Sequence, residues 1–367
     1  MRGGNVPRLE FLDALRAIAA LWVVHFHLIF IPQPNLARPA WAWPASLGGM
    51  GVTLFFVVSA FSLCHTMPVH ERNGDGLSAF YLRRFFRIAP LFYVMLAFYF
   101  WRDIWLVNLV HSPGEVLTNA LFIFNLIPGE QDGYVWASST IGVEMLFYAV
   151  FPFAYRYFDT FSKSLALFLL CVPIAALSYV VMGYLPFNRD AYYASSIFRH
   201  LPIFAAGMIA FHAGVLLTRL PYRYLVGVGL IAAGIALIWA LLTDRLFAMD
   251  TAWWQGISFA LLLIGLLLAP VRLVVNRVTS LLGKMSYSLY LVHPTLVFLL
   301  VPVYRWIYAQ PILLSLRFAC CSALTLGLLI ALSYLTYRWI ERPGIDLGRY
   351  LLAARAMLEK PERQPSC

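Results

Sequence analysis

Arg16 and His27 are where an argument about chemistry can begin, because both lie where lipid should exclude them. They fall in the run LDALRAIAALWVVHFH, and a charged side chain at the centre of such a helix costs about 2.5–3.5 kcal/mol on insertion scales. At about 100° per helical residue, positions eleven apart lie within roughly 20° of one face and about 16 Å apart along the axis. Asp13 falls about 40° to the other side of that stripe, three residues before Arg16 and placed to pair with it. His25 points elsewhere. Imidazole ordinarily titrates near pH 6.5, so a neutral His27 suits a general base. The plainer alternative is that Asp13 and Arg16 neutralise each other while His27 only hydrogen-bonds between helices.

Other polar residues interrupt apolar runs further along. GGMGVTLFFVVSAFSLCH carries Ser59, a nucleophile candidate without a G-x-S-x-G elbow, among glycines that permit close helix approach. FYLRRFFRIAP carries Arg83, Arg84 and Arg87. Arg84 and Arg87 share a helical face, and such a cluster either anchors the helix by charge or binds phosphate bidentately. In STIGVEMLFYAVFP, Glu144 stands among apolar residues with Tyr148 one turn later, and such an acid must be protonated, bonded or paired. In LGKMSYSLYLVHP, Ser286, Tyr290 and His293 share one face. They read as a polar stripe along a solvated cavity or as interhelical bonds, with a kink expected at Pro294.

The elements that must hold these residues are membrane helices. Of 367 residues 62% are hydrophobic and only 12% charged, and the mean hydropathy is +0.76. Soluble domains carry roughly a quarter charged residues, so the fold class is an all-α polytopic membrane protein. The apolar runs define about ten transmembrane helices, at residues 11–31, 49–67, 88–107, 138–157, 164–184, 197–217, 223–242, 253–271, 284–306 and 312–337. The first run is too long and polar for a secretory leader and reads as a retained helix. A short interfacial helix is expected at Leu121–Ile127.

Net charge is +10, but the basic residues are scattered between apolar runs, which argues for membrane orientation and not for nucleic acid. Placing the N-terminus inside puts 19 Lys/Arg on the inner face and six on the outer. That bias predicts cytoplasmic N- and C-termini. The five cysteines, Cys64, Cys171, Cys320, Cys321 and Cys367, show no metal-ligand spacing and no disulfide framework. Residues 1–344 read as the transmembrane catalytic domain and 345–367 as a basic cytoplasmic tail.

These segments, in this order, resemble the acyltransferase-3 family of membrane O-acyltransferases. The resemblance rests on Arg16 to His27, on GVTLFFVVSAF, on Arg84-x-x-Arg87, on Glu144 with Phe147, Tyr148 and Pro152, on SYSLYLVH, and on Ile340-Glu341-x-Pro343. Ala60 stands where the family usually has glycine, and Trp136 sits further upstream of Glu144 than in many members. The resemblance implies transfer of an acyl group, usually acetyl, from cytoplasmic acyl-coenzyme A (acetyl-CoA) to a hydroxyl of a glycan, glycolipid or small molecule. It makes His27 the essential histidine, with Arg16 and Glu144 beside it, and Arg84 and Arg87, with Arg83, the coenzyme site. Asp13, Ser59, Tyr148, Ser286, Tyr290 and His293 would line the cavity, with no metal. The expected location is a bacterial inner membrane, in contact with membrane lipid. A secondary transporter is the rival reading, since it too places charge near the midplane.

Overall fold

The computed structural model describes residues 9–72, 76–243 and 250–358, and every regular element among them is helical. In chain order these are α1 (Glu10–Phe30), α2 (Met50–Arg72), α3 (Leu77–Arg102), α4 (Pro113–Ala120), α5 (Ser138–Tyr157), α6 (Phe161–Met182), α7 (Arg189–Ala194) and α8 (Ile197–Leu217). Then follow α9 (Arg223–Leu242), α10 (Thr251–Leu268), α11 (Arg277–Lys284), α12 (Ser286–Leu299), α13 (Val301–Ala309), α14 (Leu314–Thr336) and α15 (Arg342–Leu358).

Each of the ten expected spans coincides with a helix or helix pair. Among the described residues, eight helical segments are long and apolar enough to cross a membrane unaided, and the α12–α13 pair makes a ninth. The remaining expected span is α5, whose opening turns carry Ser138, Ser139, Thr140 and Glu144 and so fall short on apolarity alone. One local expectation is corrected and another is extended. The bend between α12 and α13, 55°, lies at Leu300 and not at Pro294, because Pro302 favours a fresh helix start there. The 108–135 connector forms a short 3₁₀ helix within the expected stretch, at Phe124–Leu126, and the longer α4 precedes it. Ser112 caps α4, Pro113 opens it, and Phe122, at φ 59°, follows its end.

Contacts along the helices define two poles. At the first lie the start of α1, the end of α2 and the start of α3, where Arg84 Nη2 lies 3.5 Å from Thr66 Oγ1. At the second lie the end of α1 and the start of α2, where the Trp22 indole donates to Pro44 O at 2.7 Å. The starts of α5, α8 and α10 also lie at the second pole: Asn125 Nδ2 donates to Ser139 O and Ser195 O, each at 3.0 Å, and Thr53 donates to Gln255 at 3.0 Å. The apolar segment 314–355 is 42 residues long, roughly 63 Å as a helix and about twice the hydrocarbon thickness. Its last part, α15, therefore runs beyond the spans and lies along the start of α3, with Arg355 donating to Ser78 Oγ at 2.9 Å. Residues 359–367 of the expected tail, Cys367 included, lie outside the described residues.

With lipid as solvent, helices associate through close packing and not through water exclusion. Glycines make that possible where α2 crosses its neighbours. A methyl group on Gly51 would stand 2.6 Å from Ala19 O, and one on Gly207 would stand 2.5 Å from Val57 O and 2.7 Å from the Ala60 methyl. Ala60, the departure from the family pattern, thus fits because Gly207 faces it. Gly207→Ala is expected to destabilise the α2–α8 contact by about 1–3 kcal/mol, read as a lower Tm of the detergent-purified protein.

Candidate active site

The polar side chains of α1 and α2 meet in mid-bundle. Arg16 Nη1 lies 3.3 Å from Asp13 Oδ1, so the expected pair forms. Arg16 Nη2 donates to Ser62 Oγ at 2.6 Å, and Ser62 donates in turn to Val58 O at 2.7 Å. The guanidinium therefore spans two helices and is neither lone nor lipid-facing.

One turn towards the second pole on α2, Ser59 Oγ donates to Glu144 Oε1 at 2.8 Å, and the Tyr148 hydroxyl donates to the same oxygen. Ser59 and Tyr148 stand 3.3 Å apart. The carboxylate thus gathers α2 and α5, and the Ser59 hydroxyl is occupied by it. Arg84 extends over the rings of Phe80 and Tyr148, 5.7 and 5.6 Å from their centroids. Its Nε is buried with no hydrogen-bond partner. A buried guanidinium N–H left unmatched is costly, and an anionic ligand would satisfy it. A narrow cavity of about 60 Å³ runs beside these groups, lined by Arg16, Arg87, Glu144, Tyr148, Ser286 and Tyr290 among others. Arg83 is held separately, with Nη1 3.0 Å from His70 Nδ1.

At the other end of the stripe, proline chemistry builds a histidine pair. Pro294 has no N–H, so the carbonyl of Tyr290, four residues earlier, lacks its helical donor. His293 Nδ1 takes that carbonyl at 2.5 Å, and His293 Nε2 lies 2.9 Å from His27 Nδ1. A carbonyl only accepts, so His293 carries its proton on Nδ1. With both rings neutral, Nε2 of His293 is then an acceptor and Nδ1 of His27 must be the donor. That N–H is shared with Val23 O at 3.1 Å. One nitrogen remains, Nε2 of His27, with its lone pair available. His25 is tied instead to Leu21 O at 2.8 Å.

The structure therefore brings Asp13, Arg16, Ser59, Arg87, Glu144, Tyr148, Ser286 and Tyr290 to one polar core, pairs His27 with His293, and sets Arg83 apart. Sequence reasoning gave no role to Ser62, Thr140, Tyr287 or Ser288 with Glu341. Glu341 is 1% exposed and accepts from Ser288 Oγ at 2.9 Å. Its only signal was its place in the terminal motif. Thr140 accepts from the Tyr290 hydroxyl at 2.8 Å, which nothing in the α5 sequence announces. Among the described residues no three His, Cys, Asp or Glu side chains gather as a metal site requires.

The helical bundle thus carries an oriented imidazole, a carboxylate and arginines among helices apolar enough to cross a membrane. A profile described as "Acyltransferase domain" matches residues 9–334, and the chain belongs to the acyltransferase-3 family. It is similar to the peptidoglycan O-acetyltransferase OatA of Listeria monocytogenes, 34% identical over 87 residues, which is 23% of this chain and 12% of that protein. It is likewise similar to "Protein 2 in picA locus" of Rhizobium radiobacter, 35% identical over 91 residues, 24% of this chain and 43% of the relative. The chain thus aligns with less than half the length of either. No solved structure matches.

The hydrogen-bond chain fixes a tautomer, and that can be measured. Nitrogen-15 NMR of histidine-labelled protein should find His27 protonated on Nδ1 with Nε2 bare. A proton found on Nε2 would refute the assignment, and in His293→Leu the Val23 carbonyl should keep the proton on Nδ1 while the Nδ1 shift moves with the lost partner.

Proposed function

We propose that the protein is a membrane O-acyltransferase that moves an acyl group, acetyl in the simplest case, from cytoplasmic acyl-coenzyme A to a hydroxyl of an envelope glycan, glycolipid or small molecule. Membership of the family supports the reaction class, and the OatA likeness supports acetyl and a glycan. The observation that carries the reading is the histidine pair, whose bonds leave a lone pair only on His27 Nε2.

The bias of 19 inner to six outer Lys/Arg supports placing the first pole, with Arg84 and Arg87, on the cytoplasmic side, and both termini with it. The 3′,5′-ADP end of the coenzyme binds there, where Arg84 Nε awaits an anion. Arg83, beside His70, adds charge at the mouth. The pantetheine arm follows the narrow cavity past Arg87, Arg16 and Glu144, which suits a thread better than a bulky group. His27 Nε2 takes the proton of the acceptor hydroxyl as its oxygen attacks the thioester carbonyl. The C–S bond breaks, and the proton passes to the departing thiolate, giving ester and free coenzyme A. In the two-step variant His27 carries the acyl group first.

Arg16, held by Asp13 and Ser62 and eleven residues before His27, lines the path of the pantetheine arm, while Glu144 orders Ser59 and Tyr148 along it. His293 acts through His27 and is a positioning residue. The reading places the protein in a bacterial inner membrane, whose inner face meets the acyl-coenzyme A pool.

Thiol release from acetyl-CoA by purified protein tests the reading. His27→Ala should lower kcat about 10²–10⁴-fold without lowering the amount of protein in the membrane. Full activity in that variant would sink the proposal. Arg84→Ala should raise KM for acetyl-CoA about 10–100-fold with a smaller effect on kcat, as loss of a charge-assisted bond predicts. His293→Leu should cut kcat about 10–100-fold at nearly constant KM, and His293→Gln, whose amide oxygen can accept from His27 Nδ1, should restore part of it.

A further inference from the structure

A second cavity, of about 430 Å³, opens at the second pole, away from the arginine cluster. Its size falls within the range of about 300–1,000 Å³ usual for small-molecule sites. The starts of α2, α5, α8 and α10 and the end of α1 enclose it, and its walls are unusually polar for a membrane bundle. Thr53, Ser139, Thr140, Ser195, His200 and Gln255 all face it.

The hydrogen-bond inventory of these walls describes the ligand. Gln255 Oε1 accepts from Thr53, which leaves the Gln255 amide N–H groups to donate. His200 Nε2 donates to Ala194 O at 3.0 Å, so Nδ1 is an acceptor; it is buried and has no partner in the fold. Both oxygens of Asp250 are engaged by Arg199, at 2.8 and 3.1 Å. Burial alone would push the Asp250 carboxyl up, but the bonds from Arg199 outweigh it and hold it below its ordinary value. The pair is thus ionised and mutually neutralised at neutral pH. The walls therefore offer neutral donors and acceptors in alternation, with no unmatched charge, and Phe26 adds an aromatic face.

Position supplies the second argument. Phe26 adjoins His27 in sequence, and its ring meets the His27 ring edge-on at 5.3 Å. Thr140 lines both this cavity and the narrow one, and it is held by Tyr290, the residue whose carbonyl orients His293. Thr140 thus borders both cavities, and its partner Tyr290 lines the narrow one.

We propose that this chamber is the acceptor site and that it takes a neutral, hydroxyl-rich sugar unit from the side of the membrane opposite the coenzyme, with Tyr290 and Thr140 as the partition across which acyl transfer occurs. The acceptor role rests on the acyltransferase reading above.

Binding of chitotriose, cellotriose and maltotriose to the full detergent-purified chain, followed by tryptophan fluorescence, tests the chamber. Thiol release from acetyl-CoA is measured in parallel. At least one trisaccharide should give saturable quenching and accelerate thiol release. Thr53→Val and Gln255→Leu should weaken that binding at least tenfold, Thr53→Ser should retain it, and Arg84→Ala at the opposite pole should leave it unchanged. Matching thermal unfolding midpoints exclude misfolding as the cause, and Ser195→Phe, which fills the chamber, gives a second route to the same loss. Thiol release by the wild type without binding of any trisaccharide would overturn the chamber and spare the acyl transfer. Trisaccharide binding without thiol release would overturn the acceptor role together with the reading on which it rests.

Discussion

Hydrocarbon cannot donate or accept a hydrogen bond, so every polar side chain carried into the bilayer must find its partner inside the protein. That constraint organises this bundle. Arg16 is tolerated because Asp13 and Ser62 meet it. Glu144 is tolerated because Ser59 and Tyr148 converge on one of its oxygens. Glu341 is received by Ser288. Each of these contacts joins different helices or different turns, so the groups that would perform chemistry are also the groups that fix how helices meet. Buried N–H groups lacking such a partner, as at Arg84, then stand out as places for a ligand.

Small residues and prolines complete the arrangement in opposite ways. Gly51 and Gly207 let backbones approach until a single methyl would collide with a carbonyl. Pro294 withholds a donor and so creates a free carbonyl where the histidine pair needs one. The proline expected to bend its helix instead sets the proton position on His293, and the bend falls at the next helix start.

The helical framework was largely legible because hydropathy is local: each apolar run of about 20 residues declares itself without reference to any other. The Arg16–Asp13 pairing was legible for the same reason, since both lie within one turn. The partnership of His27 with His293 was not, because 266 residues separate them and sequence periodicity speaks only within one helix. Ser62 was passed over because a serine in a glycine-rich membrane helix looks like a packing residue. Thr140 was invisible because its importance comes from a tyrosine seven helices later. Motif order gave Glu341 a place but no partner.

The partition formed by Tyr290 and Thr140 has an electrical consequence. If acyl transfer crosses it as proposed, with cavities reaching it from both faces of the membrane, the insulating thickness between the two aqueous phases shrinks locally to a pair of side chains. The transmembrane voltage, worth about 2.3 kcal/mol per elementary charge for each 100 mV, then falls mainly across that short distance. A proton exchanged at the neighbouring imidazole moves in the steepest part of the field, which couples proton transfer there to the polarisation of the membrane.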